Sequence, residues 1–460
     1  MRTYYSFFML CVIVFSGGCI TAYNAPDRLH YNCEQFEEGL RTSNNLEYTE
    51  FTTQLESNQE FPLDIKNKTD FTTVFQSSSS EHIRPIILRY SDSGRLTNRC
   101  DYSRVFHAIG KNTNPKTIMV FIHGWHNDSG PKKNQLYNLY DESYPQDDES
   151  MGESLERFTD LINEVRHESE RDVVGVFVSW KGGVDYLNDI PGLSALKYPI
   201  SYISRRDTAE RIGNAASLPR MLAGISNIAD KQCTNPQTNK NCENENYVVF
   251  MGHSFGARIL YKSIVDDYII NTQTSHSPYA EKRQYDIING IADLTILINP
   301  AINASDYQGI DEFRYNDAQF ADNQKPLIKI FQAENDIGNG IWYKFGQTLD
   351  LNLNFLQNDF SFVSQTVGFR PEFQTHRLVK SNCNDLLSKI SKANYEFCNS
   401  NIFLEKVSGD RNSDSELVNI SPYLVIKVDK DILDSHAWYS RKNGYVFQKW
   451  LIQNILTGQK

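Results

Sequence analysis

Val248-Val249-Phe250-Met251-Gly252-His253-Ser254-Phe255-Gly256 is an apolar run of strand length that ends in Gly-x-Ser-x-Gly, with a helix-forming stretch after it. In that setting the serine sits on a tight turn that projects its hydroxyl, and Gly252 and Gly256 let strand and helix approach closely. The chemistry this points to is nucleophilic attack by Ser254 on a carbonyl or a related electrophile. A second strand-like run, Thr117 to Ile122, leads into His123-Gly124-Trp125-His126. Gly124 allows the backbone to turn so that the Trp125 amide, together with the amide of Phe255, can stabilise an oxyanion. His123 and His126 are read as loop-ordering residues, because no carboxylate follows at metal-ligand spacing.

These residues need a scaffold that brings strand ends together. Runs apolar on both faces, Thr117–Ile122 and Val173–Val178, read as buried parallel strands, as do Tyr247–Met251, Leu294–Ile298, Leu327–Phe331 and Tyr423–Val428. Between them Leu155, Phe158, Leu161, Ile162 and Val165 recur at helical spacing. Further helices are expected over about 206–230, 256–268 and 310–321, and over 445–457, where Phe447, Leu451 and Ile455 share one face. Ile86–Tyr90 and Arg104–Ile109 flank the Ser91–Gly94 turn cluster and read as an antiparallel hairpin. The alternation predicts an α/β fold with a mostly parallel central sheet and helices on both faces. The stretch from about 337 to 420 is too long for a simple crossover and is expected to hold an inserted, cap-like subdomain that includes the apolar-rich segment 349–362.

The composition narrows the function classes. With 57 acidic and 46 basic residues the net charge is −11, which disfavours a nucleic-acid partner. No cofactor loop stands out: Gly338-Asn339-Gly340 lacks the third glycine of a dinucleotide loop, and no Gly-x-x-x-x-Gly-Lys occurs. His167-Glu168-Ser169-Glu170-Arg171 begins like a zinc-protease motif but has Arg171 where the second histidine belongs, so no metal is expected.

On His123-Gly124-Trp125, Gly252 to Gly256 and the order of strands that follows, the chain resembles α/β-hydrolases of the serine esterase and lipase type, over roughly Ile86 to Leu456 apart from insertions. In that family the acid and histidine follow the serine in chain order. The resemblance assigns the acid to the loop after Leu327–Phe331, where Asp336 is the first choice and Glu334 its neighbour. Asp306, after the strand ending at Ile298, is the other position. It assigns the general base to His436, between Tyr423–Val428 and the last helix, with His376 as competitor inside the insertion. His253 is expected to point away from the site, because successive strand side chains face opposite sides. The aromatics of Trp180–Tyr186 and Trp342–Phe345 are candidates for an apolar pocket.

At the N-terminus Arg2, the apolar stretch Phe7–Phe15 and the small residues Ser16-Gly17-Gly18 before Cys19 have the layout of an export signal. Phe15 to Cys19 resembles a bacterial lipobox, with Ser16 departing from the usual aliphatic residue. The expectation is a signal peptide over 1–18, a lipid on Cys19 that anchors the protein to the membrane of the cell envelope, a tether over 19–82, and a catalytic domain over 83–460. Cleavage after Ala22 to a soluble secreted or periplasmic form is the alternative, and an uncleaved anchor is a third. Six further cysteines can pair as Cys33–Cys100, Cys233–Cys242 and Cys383–Cys398, or stay as buried thiols. Asn127 lies in an Asn-x-Ser sequon beside the Trp125 loop, where a glycan would crowd the site, which fits a bacterial chain that leaves it unmodified.

The function expected from all this is hydrolysis of a small-molecule or lipid carboxylic ester. Amide hydrolysis or acyl transfer on the same residues, and a binding lipoprotein that has lost catalysis, are the alternatives.

Overall fold

In the computed structural model the described residues are 83–96, 100–110, 114–125, 149–169, 171–182, 197–231, 246–275, 287–315, 320–321, 323–343, 365–380, 402–407, 421–438 and 444–458. The export segment, Cys19, the tether, Cys33 and Cys233, Cys242, Cys383 and Cys398 lie outside them, as do segment 349–362 and Asn127.

Nine strands of the described residues form one sheet: β1 (Ile86–Tyr90), β2 (Lys116–Ile122), β3 (Asp172–Trp180), β4 (Tyr247–His253), β5 (Leu294–Ile298), β6 (Ile328–Ala333), β7 (His376–Lys380), β8 (Ile402–Lys406) and β9 (Tyr423–Val428). Their spatial order is β1-β3-β2-β4-β5-β6-β9-β7-β8, and every neighbouring pair is parallel except β7 with β8. The helices are α1 (Cys100–Gly110), α2 (Glu149–Glu168), α3 (Lys197–Asn214), α4 (Ser217–Lys231), α5 (Phe255–Ser275), α6 (Ala304–Tyr315) and α7 (Gly444–Gly458).

This is an α/β fold with helices on both faces of a mostly parallel sheet, and the strand alternation shows why. Ile118, Val120 and Ile122 of β2 face a core shared with α1, α3, α4, α5 and α6, whereas Met119 and Phe121 face a second core with α2 and α7. Period-two side chains on a strand buried on both sides must all be apolar, hence the continuous apolar runs. On α2, Phe158, Leu161, Ile162 and Val165 are completely buried, and on α7 so are Phe447, Leu451 and Ile455. Each such side chain contributes roughly 1.5–3 kcal/mol on leaving water.

Two expectations need correction. Arg104–Ile109 is not a strand: it lies in α1, because Val105, Ala108 and Ile109 recur at three- and four-residue spacing and put their buried side chains on one helical face. Consequently β1 does not form an antiparallel hairpin with it. The Ser91–Gly94 turn folds the chain back only as far as one antiparallel bridge, Tyr90 to Leu96, and β1 instead lies parallel to β3. The single helix expected over 206–230 is two helices, α3 and α4, joined where Ala215 donates to both Arg211 and Ile212. The described part of the 337–420 segment adds β7 and β8 to the sheet edge beside β9.

The topology also dictates where a site can form. The chain leaves β2 towards β3 on one side and leaves β4 towards β5 on the other, so the connections diverge between two adjacent parallel strands. Crevices of open α/β sheets open at the carboxyl ends of strands at such a point. Ile122 and Gly252, the last residues paired between β2 and β4, are neighbours there.

Candidate active site

β4 ends at His253 and α5 begins at Phe255, so Ser254 alone makes the turn between them. It does so with φ of 56°, a left-handed conformation that a residue with a Cβ adopts at a cost of roughly 1–2 kcal/mol. The flanking glycines are dictated by space. A Cβ on Gly252 would lie 2.6 Å from the Ala257 Cα, and one on Gly256 would overlap the carbonyl oxygens of Ile122 and His123. The Ser254 backbone is held on both sides, its N–H donating to Ile298 (3.0 Å) and its carbonyl accepting from Ala301 (3.1 Å).

Three side chains from distant parts of the chain meet at this turn. His436 Nε2 lies 2.8 Å from Ser254 Oγ, and His436 Nδ1 lies 2.9 Å from each carboxylate oxygen of Asp336. Because a carboxylate only accepts, the imidazole proton sits on Nδ1, leaving Nε2 to accept from the serine hydroxyl. Asp336 is fully buried as a side chain, whereas His436 is 29 % exposed. Burial alone would raise the carboxyl pKa. The opposing pull of His436, with hydrogen bonds from the Asn339 N–H (3.0 Å) and the Gln332 amide (2.9 Å), outweighs it and holds Asp336 below the usual carboxylate range.

The other acids are committed elsewhere. Glu334 faces Arg377 (3.5 Å) and Lys427 (3.9 Å), and Asp306 pairs with Lys262 (3.2 Å) and Arg258 (3.4 Å). His376 lies on β7 with its Nδ1 on the Thr375 hydroxyl.

The β2 end closes the other side. Gly124 lies against the Ser254 turn: a Cβ there would lie 2.9 Å from that of Ser254. The Trp125 ring stands edge-on to Phe255 and to Tyr202. His123 is completely buried, with Nδ1 donating to the Gly124 carbonyl (2.9 Å) and Nε2 accepting from the Trp180 N–H (3.0 Å). The Trp180 indole in turn donates to the His123 carbonyl (2.8 Å). Burial lowers its pKa to about 4, so it is a neutral strut that fixes the loop carrying Gly124 and Trp125. With both ring nitrogens so engaged His123 is no metal ligand, and no cluster of three or more metal-ligating side chains occurs among the described residues. Of the proposed pocket aromatics, Trp180 and Tyr343 are completely buried, and Tyr186 and Phe345 lie outside the described residues.

Sequence reasoning missed Asn299, Gln332 and Asn339, all buried and all part of the wiring around Asp336 and His436. The available signal was position: Asn299 directly follows β5 and Gln332 ends the apolar part of β6, at the carboxyl edge where sites form. The His253 ring lies 5.1 Å from that of His436, and its Nε2 reaches the His436 carbonyl at 2.7 Å.

No protein-family profile and no curated protein matches the chain. Among solved structures it is similar to esterase B from Lactobacillus rhamnosis, in a C6-C4 SN3 inhibited form and in a C4-C4 SN3 tributyrin phosphonate inhibited form. The identities are 12% and 13%, covering 56% and 54% of this chain and 65% and 63% of the esterase chain, with a TM-score of 0.18 for each. The chain thus spans just under two thirds of that esterase.

Proposed function

We propose that the protein is a serine hydrolase that cleaves carboxylic esters through a covalent acyl-enzyme. The observation that carries the reading is the chain of hydrogen bonds from the Ser254 hydroxyl through His436 to the buried Asp336 carboxylate, at 2.8 and 2.9 Å.

In this mechanism His436 Nε2 takes the hydroxyl proton as Ser254 Oγ attacks the ester carbonyl carbon, while Asp336 stabilises the imidazolium and holds its tautomer. The carbonyl π electrons move onto oxygen, and the resulting oxyanion is received by the backbone amides of Phe255 and Trp125. Collapse of this intermediate breaks the bond to the alcohol oxygen, which departs with the proton from His436. A water molecule, deprotonated by the same nitrogen, then attacks the acyl-serine, releasing the acid and restoring Ser254. The left-handed turn at Ser254 and the diverging strand connections support the same reading, because they put the serine at the carboxyl ends of β2 and β4, with its hydroxyl against His436 Nε2.

The test is hydrolysis of short-chain aryl esters and labelling by a fluorophosphonate. Ser254→Ala is expected to abolish both in a folded protein. Labelling retained in that variant, or a folded wild-type protein inert to ester, amide and lipid panels alike, overturns the assignment. Amide cleavage exceeding ester cleavage would move the reading to an amidase on the same residues.

A further inference from the structure

The main-chain carbonyl of His436 accepts two hydrogen bonds, from His253 Nε2 at 2.7 Å and from Asn299 Nδ2 at 2.8 Å. The second Asn299 amide hydrogen goes to the Ser435 carbonyl at 3.0 Å, and its Oδ1 accepts from the Ala333 N–H at 2.8 Å and from the Gln332 amide at 3.3 Å. Every hydrogen-bonding position of the Asn299 amide is thereby used, between the end of β6 and the loop that carries the base. Asn299 is completely buried and has φ of 44°, a left-handed conformation that Asn tolerates better than other residues with a Cβ. Asn339 completes the tie by donating to the Asn299 carbonyl at 2.8 Å.

The two donors flank the nucleophile. His253 is the residue before Ser254, and Asn299 lies within the turn whose Ile298 carbonyl and Ala301 N–H grip the Ser254 backbone. A carbonyl only accepts, so the His253 proton is on Nε2. Burial, followed by the neighbouring His436, lowers its pKa to about 3 and keeps the ring neutral. His253 is therefore unfit as a second base, since burial makes its ring a weak base and its Nε2 proton is committed to the His436 carbonyl.

We infer that His253 and Asn299 are positioning residues that clamp the His436 main chain to the nucleophile turn, setting the Ser254–His436 distance independently of either catalytic side chain. The inference rests on the serine hydrolase reading above. Its physical content is that a base displaced by about 1 Å loses on the order of a hundredfold in rate.

The test compares His253→Phe, His253→Gln and Asn299→Asp in the full chain, with aryl-ester kinetics, fluorophosphonate labelling rate and melting temperature measured for each. Phe keeps the bulk of the ring without its donor, Gln returns a donor near the Nε2 position, and Asp replaces the donating amide by a carboxylate facing two carbonyls. His253→Phe and Asn299→Asp are expected to lose roughly ten- to a hundredfold in kcat and in labelling rate with KM changed less than about threefold, and His253→Gln to recover most of that loss. If His253→Phe keeps the wild-type kcat while melting earlier, or if Gln and Phe lose kcat equally, the clamp is refuted. Wild-type protein that fails to label at Ser254 instead refutes the hydrolase reading, and with it this inference.

Discussion

Mild acid should weaken the fold through two histidines that the structure keeps neutral. His123 and His253 are completely buried or nearly so, with pKa values lowered by burial to about 4 and about 3. In the unfolded chain each titrates near 6.5. Above that value both are neutral in either state and contribute no pH dependence. Below it the unfolded chain binds protons that the folded one refuses, so stability falls with pH, beginning near 6.5 and continuing until the folded-state values are reached. At pH 5 the gap of about 1.5 pH units is worth roughly 2 kcal/mol per histidine, or about 4 kcal/mol for the pair. That is a large part of the 5–15 kcal/mol typical of a folded domain. The window from pH 6.5 to 5 also lies above the range where unfolded carboxylates titrate, so acids such as Asp336 contribute little there. Equilibrium urea unfolding followed by the fluorescence of the buried Trp180 and Trp438 reads the effect directly. His123→Gln should remove about half of the pH dependence. Stability unchanged within about 1 kcal/mol between pH 7 and 5 would refute the neutral burial of these rings and the hydrogen-bond assignments that depend on it.

Two further outcomes follow from the site. Gly256→Ala should cost several kcal/mol and prevent soluble expression, because its Cβ would overlap two backbone carbonyl oxygens that no rotamer change can move; soluble yield and urea unfolding check this. Asp336→Asn keeps the shape but turns an acceptor into a donor opposite His436 Nδ1, favouring the wrong tautomer. Ester turnover should fall by about 10³–10⁴ with little change in melting temperature, and turnover within tenfold of wild type would show that the carboxylate does not set the tautomer.

Much of the site could be read before any coordinate. A serine on a one-residue turn between a buried strand and a helix has local causes, namely the apolar run, two glycines and a helix start, and all of them lie within ten residues. The resemblance pointed to Asp336 and His436 among Glu334, Asp306 and His376, and in the structure His436 lies between Asp336 and Ser254. Arg104–Ile109 is ambiguous in the sequence because six residues of mixed polarity satisfy two periods, and only packing against β1 and α4 selects the helical one. β7 and β8 escaped notice for a related reason. They are short strands at one side of the sheet, β7 paired with β9 and β8 forming the edge against β7, and this pairing rather than their own pattern sets their conformation.

The amino-acid sequence by itself determined the α/β alternation and the turn at Ser254, because periodicity and steric demand are local properties. Only the tertiary structure decided which carboxylate meets His436, and what holds that histidine in place. Glu334 and Asp336 are two residues apart, yet one turns to Arg377 and Lys427 and the other to His436. The clamp on the His436 carbonyl joins residues 253, 299 and 436, whose nearness exists only after β4, β5 and the β9 loop lie side by side. Hydrogen bonds across such separations leave no spacing in the sequence, since their geometry belongs to the packed sheet and not to the chain.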